Sequence, residues 1–143
     1  AALSARLDYE WHHVNYMPTL NARGAYRTFS NYRGLLRYRK GQARPYRDAR
    51  DLLQDGYDAS NSGHKWAKNL SVIVNWMEAY APPGAVVYDP FAGGGTIQAA
   101  CKVLGCHFVG SEINPDTATL ARQRVQDTKP PLFVTPEQLP LAV

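Results

Sequence analysis

The chain contains no apolar run approaching the roughly 18–20 residues that a membrane-spanning helix requires, and its mean hydropathy is −0.40. No basic and apolar leader opens it, so secretion has no support. Only two cysteines occur in 143 residues. Cys101 and Cys106 form neither a disulfide framework nor a CxxC pair, and a reducing, cytoplasmic setting is the expectation. The four histidines, His12, His13, His64 and His107, lack the HxxxH spacing of a closed zinc site, so no metal is expected. There is no internal repeat and no low-complexity tract. The first residues are Ala1-Ala2-Leu3 without a methionine, which fits a processed chain or a piece of a longer one.

Acidic residues are scarce in one place. Residues 23–50 carry nine arginines and lysines against a single acid, Asp48, whereas basic and acidic residues balance from His64 onward. A net charge of +4 thus hides a strongly basic N-terminal half joined to a neutral C-terminal half. Such asymmetry points to a polyanionic partner for the first half. Tyr26, Tyr32, Tyr38 and Tyr46 interleave with the arginines, an arrangement suited to tracking a phosphate backbone and stacking on bases.

At 45% hydrophobic and 20% charged residues the composition is that of a globular protein, and 15.9 kDa suits one domain. Residues 7–16 are aromatic and β-prone up to Pro18, which predicts a strand. Residues 18–28 read as a loop, 35–38 as a short strand and 41–63 as a long loop. Leu70, Ile73, Val74 and Met77 recur at helical spacing, so 69–80 is expected to be a helix ended by Pro82-Pro83-Gly84. Beyond it the pattern alternates: a buried-type strand at 85–89, a helix at 96–104, a strand at 108–112, and a helix from Pro115 to about Gln126. That order implies parallel strands with flanking helices. The tail from Lys129 holds four prolines and is expected to trail over the surface.

The loop joining the first of these parallel strands to its helix is Asp89-Pro90-Phe91-Ala92-Gly93-Gly94-Gly95-Thr96. Glycines serve where backbone takes positive φ or presses against a ligand, and the C-terminal ends of parallel strands are where such sheets bind ligands. The N–H groups opening the next helix favour an anion or a carboxylate. Glu112 ends the following strand, where an acid can accept both ribose hydroxyls of an adenosine. A nucleoside triphosphate is disfavoured, because Gly95 is followed directly by Thr96 without the Walker lysine. A dinucleotide is disfavoured, because Gly93-x-Gly95 lacks the third glycine. S-adenosyl-L-methionine, with an amino-acid end, an adenosine end and no pyrophosphate, fits the pattern.

With these motifs in view, Asp89-Pro90-Phe91-Ala92-Gly93-Gly94-Gly95-Thr96 followed by Gly110-Ser111-Glu112-Ile113-Asn114-Pro115 resembles the phage-type DNA N6-adenine methyltransferases. The resemblance implies an α/β chain with a partial Rossmann-like, S-adenosylmethionine-dependent methyltransferase fold of parallel strands and flanking helices. It also implies that Phe91, Gly93, Gly95 and Thr96 line the methionine end, that Glu112 holds the ribose, and that Asp89 and Lys68 belong to the same site. His64 to Ser71 falls where the family closes over the cofactor's carboxylate. Arg33, Arg37, Arg39, Lys40 and Arg44 are then expected to meet double-stranded DNA. The chain divides into a basic segment at 1–63, a cofactor half at 64–127 and a Pro-rich tail at 128–143, within one domain.

The family's catalytic Asp/Asn-Pro-Pro-Tyr/Phe occurs nowhere in these residues. Ile97, Asn69 and Ser111 also depart from the family's usual threonine, proline and isoleucine. The expectation is therefore a permuted methyltransferase lacking its N-terminal catalytic segment, with no catalytic residue assigned. A cofactor- and DNA-binding remnant that has lost transfer is the alternative. Loss of the strand that bears the motif would expose an apolar sheet edge beside the strand ending at Asp89, inviting self-association. The implied chemistry is transfer to the exocyclic amine of a flipped base, adenine N6, in the cytoplasm of a bacterial or phage-infected cell.

Overall fold

A computed structural model of the chain describes residues 6–17, 22–23, 29–30, 32–54 and 68–129. The chain forms two compact units, Ala1–Tyr57 and Asp58–Val143. The tail beyond 129 and all of 55–67, including His64–Ala67 of the segment expected to close over the cofactor, lie outside the described residues.

In the first unit, strand β1 (Asp8–Tyr16) lies between two partners in the order β4-β1-β5. A separate two-residue pair joins β2 (Ala22–Arg23), within the expected 18–28 loop, to β3 (Phe29–Ser30), just beyond it. Strand β4 (Tyr32–Arg39) runs antiparallel to β1, from Asp8↔Arg39 to Tyr16↔Tyr32, with a register shift between Tyr9 and Trp11. It is longer than the strand expected at 35–38, because pairing along the whole of β1 overrides the weak propensity of Arg33, Gly34 and Arg39.

Strand β5 (Leu52–Gln54) pairs parallel to β1, with Val14 N–H donating to the Asp51 carbonyl at 2.6 Å. This corrects the reading of 41–63 as loop throughout. Three residues are too few for an alternating pattern, and only the neighbouring strand makes them one. One face of β1 buries His13 and Asn15, Met17 just after it is buried too, and His13 Nδ1 lies 2.9 Å from the Arg50 carbonyl.

In the second unit, helix α1 (Leu70–Tyr80) starts at Asn69, whose side chain accepts from Ser71 N–H at 2.9 Å. It buries Val72, Ile73, Trp76 and Ala79, a single helical stripe. Strand β6 (Val86–Asp89) leads through the glycine loop into helix α2 (Thr96–Leu104), then to strand β7 (His107–Gly110) and helix α3 (Pro115–Asp127). Strands β6 and β7 are parallel, Val86↔His107 to Asp89↔Gly110, as the β-α-β order requires.

Ala99, Ala100 and Cys101 are fully buried. Around Cys101, Leu104 and Cys106 pack Val74, Met77, Val87 and Ile97. Small side chains on α2 let it seat closely between α1 and α3. Gly105 ends α2 at φ 68°, with its N–H returned to the Cys101 carbonyl. Lys102 Nζ donates to the Val125 and Gln126 carbonyls at 2.7 and 3.1 Å, fastening α2 to the last turn of α3.

Strand β7 stops at Gly110, two residues short of the expected end. Ser111 there turns its carbonyl to Ala92 N–H in the glycine loop instead of continuing the ladder. Among the described residues β6 pairs with β7 alone, and Val86, Tyr88 and Val109 remain more than half exposed.

Candidate functional site

The glycine loop is organised from both ends. At its start, Asp89 Oδ1 accepts Phe91 N–H at 3.0 Å, and Oδ2 accepts from Gln98 Nε2 at 3.3 Å. Ala92 N–H donates to the Ser111 carbonyl at 2.9 Å, Ser111 N–H to the Asp89 carbonyl at 3.1 Å, and Ser111 Oγ to the Pro90 carbonyl at 2.9 Å. The loop is thus laced to the segment leaving β7.

Two glycines in it take left-handed backbone, Gly93 at φ 51° and Gly95 at φ 76°. At Gly95 a second requirement applies. A Cβ would lie 2.9 Å from the Ala121 Cα and 3.0 Å from its carbonyl oxygen, so α3 presses on the loop's backbone.

Glu112 stands over this turn. Its Oε2 accepts Gly93 N–H at 2.9 Å and its Oε1 accepts Asn114 N–H at 2.9 Å. One carboxylate therefore joins the glycine loop to the start of α3. Charge-assisted bonds of this kind are among the stronger ones. Phe91 and Ile113 project beside it, 86% and 99% exposed, two large apolar side chains on loops that offer them no cover. A cleft of about 530 Å³ opens alongside, lined by Gln98, Phe108, Gly110, Glu112, Ala121 and Val125. That volume is within the range of a small-molecule site.

Thr96, the first residue of α2, is buried beneath the loop. Its hydroxyl accepts from Arg124 Nη1 at 2.7 Å and donates to the Lys68 carbonyl at 3.4 Å. Arg124 Nη1 also reaches the Gly94 carbonyl at 3.4 Å. Lys68 itself is exposed. All seven residues expected at the cofactor site, Lys68, Asp89, Phe91, Gly93, Gly95, Thr96 and Glu112, thus lie on or directly against one loop.

Burial holds the neighbouring thiols in their protonated form. Desolvation, with the nearby Cys106 and Asp89 adding to it, pushes Cys101 up to about 12. Desolvation also raises Cys106, whose Sγ lies 3.4 Å from the Pro82 carbonyl.

The five basic residues expected at DNA do not form one set. Arg37 Nε donates to Glu10 Oε2 at 2.7 Å, and its Nη2 pairs with the same oxygen. Arg39 Nε lies 3.9 Å from Glu10 Oε1, while its Nη1 donates to the Gly41 carbonyl. Arg33 is half-buried. Lys40 and Arg44 are exposed, as are Arg47, which lies 5.4 Å over the Tyr46 ring, and Arg50. Among the described basic residues of 32–50, the exposed ones therefore sit on the 40–50 loop rather than along β4.

Sequence reasoning missed three residues here: Gln98, Arg124 and Glu10. Gln98 and Arg124 read as ordinary helix positions, and a basic residue in a last helical turn is explained by the macrodipole alone. Glu10 carries a faint signal, as one acid in a strand facing an arginine-rich one.

A parallel β-α-β unit with a glycine loop after its first strand and an acid after its second is a Rossmann-like arrangement. The chain belongs to the DNA methylase family of N6 and N4 methyltransferases, whose model matches residues 11–123. It is 42% identical over 50 residues to the type II methyltransferase M.XycI of Xanthomonas campestris pv. cyanopsidis, covering 35% of this chain and 17% of that protein. It is 37% identical over 67 residues to a tRNA (guanine(10)-N(2))-methyltransferase of Schizosaccharomyces pombe, covering 47% of this chain and 13% of that protein. Among solved structures, M1.HpyAVI in complex with SAM shares the fold, with a TM-score of 0.72 and 22% identity over 86% of this chain and 65% of that one. The chain thus spans under a fifth of these two curated relatives and about two thirds of the solved one.

Proposed function

We propose that this chain is the cofactor-binding and DNA-facing part of a DNA methyltransferase. The reaction transfers a methyl group from S-adenosyl-L-methionine to the exocyclic amine of a base in double-stranded DNA, with adenine N6 as the acceptor. The observation that carries the reading is the glycine loop after β6, bound by its own backbone to Glu112.

The chemistry of the residues present fits the cofactor. Glu112 offers a carboxylate to a ribose diol, and Phe91 and Ile113 offer exposed apolar surface to an adenine. The first N–H groups of α2, which no helix satisfies internally, together with the exposed Lys68, suit an amino-acid carboxylate. S-adenosylmethionine, when bound, supplies an electrophilic methyl group. The chain's own work is to fix the two ends of that molecule, since positioning carries much of a displacement reaction. Extruding the target base costs a few kcal/mol of unstacking. Lys40, Arg44, Arg47 and Arg50 are the groups we assign to the phosphates of the duplex. The setting is the cytoplasm of a bacterial or phage-infected cell.

Calorimetric titration of the chain with S-adenosylmethionine, with NAD as control, tests this. Saturable heat for the first ligand alone, weakened at least tenfold by Glu112→Ala in a variant with unchanged circular dichroism, is the expected result. No heat from a folded wild-type chain would overturn the cofactor assignment. Duplex binding through residues 40–50 would then be the activity left to examine.

A further inference from the structure

We propose that Arg124 is a positioning residue for the cofactor's amino-acid end, acting through Thr96 and Lys68; this rests on the reading of the loop as an S-adenosylmethionine site. Arg124 is 7% exposed and lies in the last turn of α3, one helical turn beyond Ala121. Ala121 is the residue whose backbone abuts Gly95. The two side by side form the floor beneath Gly94, Gly95 and Thr96.

From that floor a directional series of hydrogen bonds runs outward. The guanidinium donates to the Thr96 hydroxyl, and the hydroxyl donates in turn to the Lys68 carbonyl. A second contact from the same Nη1 holds the Gly94 carbonyl. Three separate pieces of chain are thereby set in register: α3, the loop entering α2, and the residue that precedes the N-cap of α1. A donor that is already charged polarises the hydroxyl it holds, which strengthens the next bond in the series.

This placement has an electrostatic consequence. The N-terminal end of α2 already carries the positive pole of a helix. A buried guanidinium set directly behind it adds to that potential instead of relieving it, and the field is weakly screened where water is excluded. An arrangement that gathers positive potential on one side of a loop favours an anion on the other side. In the proposed ligand the one anionic group is the amino-acid carboxylate. The adenosine end is assigned to Glu112, which holds the loop at Gly93 N–H, whereas Arg124 holds it at the Gly94 carbonyl and Thr96.

The contrast between the two ends supplies the test. S-adenosylhomocysteine and 5′-methylthioadenosine share the adenosine and the thioether, and only the first carries the amino-acid group. Calorimetric titration of both into wild type, Arg124→Met, Arg124→Lys and Thr96→Val measures each end separately. Arg124→Met is expected to weaken S-adenosylhomocysteine at least tenfold and 5′-methylthioadenosine less than twofold. Arg124→Lys keeps the charge but not the fork, and is expected to fall between wild type and Arg124→Met. Thr96→Val, which keeps the shape and removes the hydroxyl, is expected to reproduce the selective loss. Equal losses for both ligands would mean that Arg124 merely holds the fold, and no loss for either would mean that it does nothing at the site; each overturns the proposal. If Arg124→Met does not fold, Arg124→Lys and Thr96→Val decide the matter by the same comparison. A folded wild type that binds neither ligand would instead overturn the reading on which the proposal stands.

Discussion

Replacing Gly95 by alanine should damage this protein far more than the same change at Gly93, although both glycines hold left-handed backbone in one loop. At Gly93, φ 51°, an added Cβ meets nothing nearer than the Phe91 carbonyl at 3.8 Å. The cost there is conformational alone, about 1 kcal/mol. At Gly95, φ 76°, the same conformational cost applies, and the Cβ would also stand 2.9–3.0 Å from the Cα, Cβ and carbonyl oxygen of Ala121. Two of those three atoms are backbone, so relief requires α3 to move away from the loop, and the Arg124 contacts move with it. Overpacking of this kind adds about 1–3 kcal/mol, giving about 3 kcal/mol in total.

Urea denaturation followed by circular dichroism measures the difference directly. Gly95→Ala is expected to lower stability by about 2 kcal/mol more than Gly93→Ala, with an unchanged m-value. Ala121→Gly in the Gly95→Ala background should restore only part of the loss, because the Ala121 Cα and carbonyl remain in place. Equal effects of the two single substitutions would refute the argument that close approach of α3, rather than φ, dictates glycine at position 95.

Glu10→Gln should tighten binding to a short duplex, since it releases Arg37 and Arg39 from their shared carboxylate; fluorescence anisotropy at several salt concentrations should show a steeper slope, by up to about one unit per freed guanidinium, whereas Lys40→Ala and Arg44→Ala should weaken binding. Below pH 9 the Cys101 thiol is protonated in both folded and unfolded chains. Between pH 9 and about 12 the unfolded chain releases a proton that the fold retains, so stability should fall with rising pH in that window, and Cys101→Ala should flatten the dependence of the urea midpoint on pH. The outward side chains of β6 and β7, Val86, Tyr88 and Val109, predict concentration-dependent self-association in sedimentation velocity, reduced by Tyr88→Lys. A monomer at all concentrations would remove the exposed sheet as a pairing surface.

Much of the second unit was legible in the order of residues, because each of its signals is local. Asn69 caps α1, Pro115 follows the Asn114 cap of α3, Gly105 closes α2, and apolar residues recur at helical spacing between them. The glycine loop and the acid after the next strand were equally plain, since both follow from what a strand-to-helix turn must do at the end of a parallel sheet. The first unit was less legible. Leu52–Gln54 is a strand only because β1 offers it a partner, and no property of three residues announces that. Charge counted along the sequence does not show pairing: Glu10, more than 20 residues from Arg37 in sequence, draws Arg37 and Arg39 into ion pairs.

The sequence by itself determined the glycine loop, the acid after the next strand and the alternation of helices and strands around them, because capping, periodicity and turn chemistry act between near neighbours. Only the tertiary structure decided why position 95 must be glycine, which arginines stay available to a phosphate, and that Arg124 stands behind Thr96. Those outcomes depend on which distant backbone or charge arrives at a given point, and hydrogen bonds and close contacts between such groups exist only once the chain has packed.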